Sequence, residues 1–403
     1  MGECKDKGIR RIFLIVSLVA NLSLLFSFKY LSFLNESFRG AFGFLHIPYN
    51  IPYLNIILPM GISFHTFQAM AYTLEVYRGN QKPERHFGKF ALYIAFFPQM
   101  VAGPIERASS LIPQFYKKHI LKYSNLTYGL KRMAWGFLKK VVIADRLALL
   151  VNRVYNDPHQ FQGAPLIIAT IFFAFQIYCD FSAYTDIAIG SARVMGFKLK
   201  ENFHSPYLAT SVRDFWKRWH ISLTSWFRDF LYIPLGGNRV AQWRWYFNLL
   251  IVFLLSGLWH GANWTFIIWG ALHGSYLIFA ILTQKVRQKF VQLIGLTQVP
   301  RVYKAIQIAI TFLLMTFAWI FFRANSLSDA IYVVTHLFDF STTSQLLRAI
   351  SIKHNTVIML GLSKVEIALS FGFIFFIQIF YWLQEKKGIL GILSSKPALV
   401  RFS

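Results

Sequence analysis

Cysteine, acidic residues and charge in general are scarce in this chain of 403 residues. The two cysteines, Cys4 and Cys179, are too few for a disulfide framework and do not have the spacing of zinc ligands. Asp and Glu together number 17 against 42 Lys and Arg, which gives a formal net charge of +25. Charged residues make up only 15% of the chain, whereas soluble proteins usually contain roughly 25%. This composition argues against an ordinary soluble domain.

Apolar and aromatic side chains are abundant instead. Hydrophobic residues make up 55% of the sequence and aromatic residues 18%. Disorder is excluded, because disordered segments have low hydrophobicity. A nucleic-acid binder would carry its basic residues on an ordinary soluble core, and the hydrophobicity of this chain is too high for one. We therefore predict a polytopic membrane protein whose positive charge lies in cytoplasmic loops.

Stretches without Asp, Glu, Lys or Arg predict the membrane spans, because a spanning helix needs about 20 mostly apolar residues. These stretches cover residues 12–28, 40–74, 90–105, 158–179, 245–284, 305–322 and 367–384. The stretch 245–284 is long enough for two helices with a break at 261–263, and residues 126–151, which basic residues interrupt, predict an amphipathic or tilted helix. The predicted fold class is all-α, with about 8–10 transmembrane or re-entrant helices.

Basic residues set the predicted orientation, because cytoplasmic loops carry an excess of Lys and Arg. Basic side chains at positions 5, 7, 10 and 11 precede the first span and place the N-terminus in the cytoplasm. The segments 117–140, 193–244 and 285–304 and the tail after 386 are also basic, whereas 323–364 is mixed and suits the outer face. We expect one membrane-embedded domain over 1–403, with C-terminal spans and a cytoplasmic tail in 285–403.

Placing an ionisable side chain at membrane depth costs free energy, so each such residue is a candidate functional residue. Asp180 and Asp186 follow an apolar run and are interpreted as a satisfied polar cluster, ahead of a direct part in an active site. The segment 205–238 interleaves Trp and Phe with Arg, Lys and Asp, which is typical of an amphipathic element at the membrane interface. Lipid or a phosphorylated ligand explains that segment better than nucleic acid does. Taken alone, His220 within it favours a structural role.

His260 lies within the longest charge-free stretch. It is 15 residues beyond Trp245, which at 1.5 Å per residue places it roughly 22 Å into a hydrocarbon core of about 30 Å. A histidine's ordinary pKa near 6.5 suits acid–base chemistry, and the flanking glycines permit close approach of backbone or substrate. His220 and His260 have no Cys or carboxylate at ligand spacing, so no metal site is predicted, and bis-histidine haem ligation is a remote alternative. His273 is interpreted as structural.

Several motifs together resemble a known family. The segments FWKRWHISLTSWFRDFLYIPLGGN at 215–238 and SGLWHGANWTFIIWGALHG at 256–274 resemble the signature of the membrane-bound O-acyltransferases, in the bacterial branch that includes alginate O-acetylation protein I. Segments at 58–79, 100–115 and 180–197 fit the same branch. The resemblance covers 58–276, the motif-bearing core. It implies a multi-helix fold around a tunnel, with a histidine inside it that serves acyl transfer between the two membrane faces.

The resemblance also implies roles for individual residues. The histidine of the WHG motif is His260, which the family uses as its catalytic residue. The histidine of the WHIS motif is His220, a second motif residue near the cytoplasmic approach, and the resemblance makes it a predicted catalytic residue together with His260. Arg213, Asp214 and Arg218 belong to the same motif and are candidates for shaping the site or contacting the donor.

The start of the sequence departs from this branch, whose members usually carry further hydrophobic segments before the one at 12–28. Three interpretations are open: an N-terminally shortened member, a fragment, or a misassigned start. Each of them bears on the outer wall of the expected tunnel.

The function that the resemblance implies is O-acyl transfer with no bound cofactor and no metal. The donor is an acyl thioester, most simply acetyl-CoA. Neutral His260 would take the proton of an acceptor hydroxyl, and Asn263 or a motif arginine would donate to the oxyanion.

The expected partners are a periplasmic acetyltransferase, an exopolysaccharide acceptor such as alginate, and the lipid of the cell inner membrane, with no nucleic acid. Two alternatives stay open: a conduit or transporter that performs no chemistry, and an inactive scaffold relative.

Overall fold

The computed structural model describes all residues except 1, 3, 5, 53–55, 58, 60, 101–102, 342–363 and 388–403. Every regular element in that part of the chain is helical, which confirms the predicted all-α class. Nearly all of the predicted cytoplasmic tail, and residues 342–363 of the connection predicted for the outer face, lie outside the described residues.

In chain order the helices fall into a first and a second half. The first half comprises α1 (Lys7–Leu25), α2 (Leu31–Phe44), α3 (Ile62–Tyr77), α4 (Phe87–Ile94), α5 (Ala108–Leu111), α6 (Tyr123–Phe137), α7 (Asp145–Tyr155) and α8 (Ala164–Val194). The second half comprises α9 (Val212–Arg218), α10 (Ile221–Phe227), α11 (Gln242–His260), α12 (Trp264–Leu282), α13 (Gln284–Leu293), α14 (Pro300–Arg323), α15 (Leu327–His336) and α16 (Lys364–Lys387). Short π-helical turns join α1 to α2 at Phe26–Tyr30, join α6 to α7 at Leu138–Ala144, and follow α10 at Arg228–Tyr232.

Five stretches of helix among the described residues are long and apolar enough to cross a membrane. They are Lys7–Phe44, Ala164–Val194, Trp264–Leu282, Pro300–Arg323 and Val365–Leu383. The chain is therefore a multi-pass membrane protein. The predicted break within 245–284 is also confirmed, because α11 ends at His260 and α12 begins at Trp264.

The uncharged stretch 90–105 does not form one spanning helix. Helix α4 ends at Ile94, and a short 3₁₀ turn containing Pro98 follows it. Because proline has no N–H to donate and its ring crowds the preceding turn, an α-helix does not continue smoothly through this position. The described part of 90–105 thus contains the end of α4 and a 3₁₀ turn, and not one spanning helix.

Helix α8 runs further than the uncharged stretch 158–179 predicts. It continues to Val194 and carries Asp180 and Asp186 within the helix. Asp180 forms an ion pair with Lys140 at 2.7 Å, and Asp186 forms one with Arg132 at 2.9 Å. Both carboxylates are thus paired, as expected from the sequence, but they do not close the helix, which continues to Val194.

The chain forms two compact units. The first contains Met1–Gly136, Tyr184–Asn202 and Ser222–Gly274, and the second contains Phe137–Ala183, Phe203–Ile221 and Ser275–Ser403. Helix α8 contributes residues to both.

In the first unit the core forms between α3 and α10. Phe67 of α3 stacks on Trp226 of α10 with the ring centroids 3.9 Å apart, and the Trp226 indole N–H donates to the Phe67 carbonyl at 3.0 Å. Helix α1 lies beside α3, where the hydroxyls of Ser17 and Thr73 are 3.2 Å apart. The N-terminal helix is thereby attached to the core that supports α10.

In the second unit the core surrounds Trp219, which follows α9. Its ring stacks on Phe215 with centroids 5.5 Å apart and lies 5.1 Å from the ring of Trp319 on α14. The Tyr207 hydroxyl donates to the Ala174 carbonyl of α8 at 2.6 Å. These contacts fix the segment that carries α9 against α8 and α14.

Helices α11 and α12 pack backbone to backbone through glycine. A Cβ atom at Gly257 would overlap the carbonyl oxygen of Phe266, and one at Gly270 would overlap the carbonyl oxygen of Phe253. Small residues at such positions let membrane helices approach closely. The hairpin on either side of the break therefore depends on both glycines.

The substitution Gly270→Ala tests this packing. We expect it to lower the melting temperature of the purified full chain, because the added methyl costs about 1–3 kcal/mol when a packed backbone has to move. Gly40→Ala on α2 is the matched control, since no described atom lies within 4 Å of a Cβ there. The control should melt at the wild-type temperature or slightly above it, because alanine favours a helix by about 1 kcal/mol over glycine. Equal melting temperatures for Gly270→Ala and wild type would contradict the close packing.

Candidate active site

His260 is the last residue of α11, at the point where the hairpin breaks. The backbone becomes extended at Gly261, with φ −157° and ψ 143°, and the Gly261 N–H donates to the Gly257 carbonyl at 3.2 Å. Asn263 starts the next helix, because its Oδ1 accepts a hydrogen bond from the Thr265 N–H at 3.0 Å in the manner of an N-cap. The predicted catalytic histidine and the predicted oxyanion residue thus flank the same break. An oxyanion accepts hydrogen bonds, so Asn263 would bind it through the Nδ2 amide group while Oδ1 caps the helix.

Aromatic packing orients the His260 imidazole towards α12. The ring centroids of His260 and Trp269 are 5.1 Å apart with an interplanar angle of 83°, which is an edge-to-face arrangement. Trp269 is fully buried and makes a second edge-to-face contact with His273 at 4.7 Å. His273 is also buried and packs against Phe253. Such burial fits the structural interpretation of His273, whereas His260 is partly exposed at the break.

In the second unit, Asp214 and Arg218 stabilise α9. The Ser211 hydroxyl accepts a hydrogen bond from the Asp214 N–H at 3.1 Å and caps the helix. The Asp214 carboxylate accepts one hydrogen bond from the Thr210 N–H at 3.2 Å and another from the Arg218 guanidinium at 3.0 Å. Both side chains therefore shape the motif. Arg213 is exposed, which makes it the arginine of this group most open to a ligand.

His220 has a strained backbone. It lies in the two-residue turn between α9 and α10 with a φ of 43°, in the left-handed region. Residues other than glycine rarely adopt this conformation, because Cβ then crowds the following carbonyl oxygen. The side chain is buried and meets the ring of Phe181 edge to face with centroids 4.7 Å apart. Strain of this kind is kept where the surroundings impose it, and it clusters at functional sites.

The predicted site residues form two groups. The first unit contains His260 and Asn263, and the second unit contains Arg213, Asp214, Arg218 and His220. Each group is held within its own unit by the contacts described above. In the described part of the chain, no three His, Cys, Asp or Glu side chains are arranged to hold a metal ion.

An ion-pair network around Arg107 was not predicted. The Arg107 guanidinium contacts Glu75 at 3.4 Å and Asp229 at 3.0 Å, and it lies 4.2 Å from the centroid of the Phe230 ring. Arg78 adds a hydrogen bond to the Asp229 carbonyl at 3.0 Å. The network joins α3, the segment before α5 and the π-helical turn after α10 within the first unit. Arg107 and Asp229 both lie in segments that resemble the family, but the resemblance does not reveal that they pair.

Glu106 is a fully buried carboxylate beside Arg107 in sequence. Burial raises the pKa of its carboxyl group, and the hydrogen bond that Glu106 accepts from the Lys200 N–H opposes this rise. This hydrogen bond ties the loop after α8 to the segment before α5.

Lys29, which the sequence did not single out, lies next to the predicted site. The sequence pattern ends the first span at residue 28, whereas the helix continues through Lys29 into α2. The Lys29 ammonium donates to the carbonyl of Trp259, next to His260. The sequence feature that could have indicated Lys29 is that it is a lysine with apolar residues on both sides.

The sequence of the chain matches the profile of the membrane-bound O-acyltransferase family over residues 85–326, more than half of its length. This range includes both groups of site residues. The chain belongs to the membrane-bound O-acyltransferase family. The family inferred from the motifs is thereby confirmed.

Several curated relatives resemble this family member over most of its length. A probable alginate O-acetylase AlgI of Pseudomonas aeruginosa is 40% identical over 334 residues, which cover 82% of this chain and 61% of the relative. A peptidoglycan O-acetyltransferase of Helicobacter pylori is 38% identical over 82% of this chain and 66% of the relative. A teichoic acid D-alanyltransferase of Bacillus subtilis is 30% identical over 60% of this chain and 64% of the relative. The chain thus spans less than two-thirds of the length of these relatives.

A comparison of His220→Gly with His220→Ala distinguishes the effect of losing the imidazole from the effect of relieving the backbone strain. Both variants lose the imidazole, but only glycine adopts a φ of 43° without steric cost. We expect His220→Gly to be more stable than His220→Ala by about 1–2 kcal/mol, measured by thermal unfolding of the purified full chain. A His220→Ala variant as stable as His220→Gly would show that the turn is not strained.

Proposed function

We propose that the chain is an O-acyltransferase that takes an acetyl group from a cytoplasmic thioester, most simply acetyl-CoA, and moves it across the membrane for O-acetylation of an exopolysaccharide such as alginate. Family membership and the names of the relatives support this proposal. The observation that carries it is the position of His260 at a helix break inside an apolar hairpin. The break places an acid–base group within a stretch that contains no Asp, Glu, Lys or Arg.

The chemistry proposed for His260 is general base catalysis. Neutral His260 takes the proton of an acceptor hydroxyl while the oxygen attacks the thioester carbonyl. The new C–O bond forms, the C–S bond breaks, and the departing thiolate receives the proton from the imidazolium. Asn263 Nδ2, in the same unit as His260, donates to the oxyanion that develops in between. Acetyl-CoA is a substrate in this scheme, and no bound cofactor takes part.

The donor is proposed to approach from the cytoplasm. Basic residues are concentrated in 193–244, and Arg213 within that segment is exposed. A concentration of positive charge attracts the phosphates of a donor such as acetyl-CoA and raises its local concentration. Arg213 is therefore our first candidate for a contact with the donor.

The proposed setting is the cell inner membrane, with the N-terminus in the cytoplasm. The basic residues before α1 favour this orientation. A periplasmic acetyltransferase would pass the acetyl group on to the polymer. Acetyl is favoured over D-alanyl because the relatives near 40% identity are named as O-acetylases, whereas the one named as a D-alanyltransferase is 30% identical.

A conduit that performs no chemistry is a weaker alternative. A proton-coupled carrier needs carboxylates that bind and release protons within a span. Asp180 and Asp186 are each held in an ion pair within the unit to which they belong. This arrangement favours a structural role for both.

His260→Ala tests the proposed function. In a strain that lacks its own copy of the gene, we expect this variant to reduce polymer acetylation by about 10²–10⁴-fold, because a general base is lost. The full chain should still accumulate in the membrane, as an immunoblot of the membrane fraction would show. Wild-type acetylation by His260→Ala would refute the assignment.

His204→Ala is the matched control for this experiment. His204 is an exposed histidine outside both groups of site residues, so the same chemical change there should leave acetylation at the wild-type level. If the wild-type chain itself fails to restore acetylation, the inactive scaffold alternative is favoured.

A further inference from the structure

Lys29 is a cation inside a helix that is apolar enough to cross the membrane. Helix α1, the π-helical turn Phe26–Tyr30 and α2 form one continuous helical stretch over Lys7–Phe44. Ionisable residues within such stretches are costly and are kept where they meet a partner. The identity of that partner decides what Lys29 does.

The partner of Lys29 is the end of α11. The Lys29 Nζ donates to the Trp259 carbonyl, lies 3.5 Å from the His260 carbonyl oxygen and donates to the Ser63 hydroxyl at 3.1 Å. The next residue, Tyr30, donates its hydroxyl to the Leu258 carbonyl at 3.0 Å. Two consecutive side chains thus reach the last three carbonyls before the break.

These carbonyls need partners from outside their own helix. The last four carbonyls of an α-helix have no intrahelical donor, and here the Gly261 N–H serves only the Gly257 carbonyl. Water is not available in hydrocarbon, so an unsatisfied carbonyl is costly there. A cation is also favoured by the negative end of the helix dipole, which lies at this terminus.

Further features of the N-terminal helix fit the same arrangement. A π-helical turn adds a residue to the helix and changes the direction of the side chains that follow, and such turns are frequent at functional sites. One turn beyond Tyr30, Phe33 packs edge to face on Trp264 with centroids 5.7 Å apart. Trp264 is the first residue of α12. The N-terminal helix therefore contacts both sides of the break.

We propose that Lys29 is a positioning residue for His260. Its ammonium fixes the last turn of α11, and this turn determines where the imidazole lies relative to the reacting hydroxyl. The inference rests on the proposed acyl transfer at His260. Lys29 itself does not touch the reacting atoms in this scheme.

The test is a comparison of Lys29→Met with Lys29→Arg in the purified full chain, with labelled acetyl-CoA as donor. Methionine keeps most of the side-chain length and removes the cation, whereas arginine keeps a cation and its donors. We expect Lys29→Met to lower kcat by about 10–100-fold with little change in the KM for the donor, because a small misplacement of a catalytic group is costly. Lys29→Arg should recover most of that loss. Wild-type kcat in Lys29→Met, or equal loss in both variants, would overturn the proposal.

Two controls show whether the effect belongs to the cation at this position. Lys7→Met makes the same chemical change at an exposed position at the start of α1 and should leave kcat unchanged. Tyr30→Phe removes only a neutral donor to the Leu258 carbonyl and should reduce kcat less than Lys29→Met does. If Lys29→Met does not accumulate, Lys29→Gln replaces it, and wild-type kcat in that variant would equally overturn the proposal.

A second readout separates this inference from the proposed function. The rate at which diethyl pyrocarbonate modifies His260, followed by mass spectrometry, reports the surroundings of the imidazole without any turnover. We expect that rate to change in Lys29→Met and to return towards the wild-type value in Lys29→Arg. If the wild-type chain transfers no acetyl group, the proposed function fails while this measurement still tests the positioning. An unchanged modification rate in Lys29→Met would refute the positioning role.

Discussion

Backbone groups that are freed where a helix breaks inside an apolar layer have no water to bind, and the region around His260 is built to meet this constraint. The last carbonyls of α11 receive hydrogen bonds from an ammonium and a hydroxyl on the N-terminal helix. Helix α12 restarts with Asn263 as its cap, and glycines let the two helices close on each other. Together these contacts hold a break in place, and His260, the residue proposed to act as general base, lies at that break.

The break is visible in the sequence because it is encoded locally. A charge-free run over 245–284 is too long for one span, and Gly261 and Asn263 supply a stop and a start within it. The case of His220 is different. Its neighbours indicate only an amphipathic segment, and the positive φ that sets it apart does not show in composition, so the resemblance to the family was needed to single it out.

The features that the sequence does not reveal depend on distant partners. In the sequence, Lys29 only marks the end of an apolar run. In the fold, its ammonium reaches the carbonyl of Trp259, which is 230 positions away. Arg107 meets carboxylates that are 32 and 122 positions away. Such pairings are set by tertiary packing, which periodicity and spacing do not encode. The prediction of a span at 90–105 is wrong for the opposite reason. There a local feature, Pro98, interrupts the helix although the stretch is free of charge.

Acyl transfer at His260 is tested most directly by thioester consumption in lipid vesicles that contain the purified full chain. Labelled acetyl-CoA would be supplied together with a polymer acceptor, and cleavage of the thioester would be followed over time. We expect cleavage that depends on the acceptor and is lost when the His260 imidazole is removed. Flux of acetate or another solute across the vesicle membrane with the thioester left intact would contradict acyl transfer and identify the chain as a conduit.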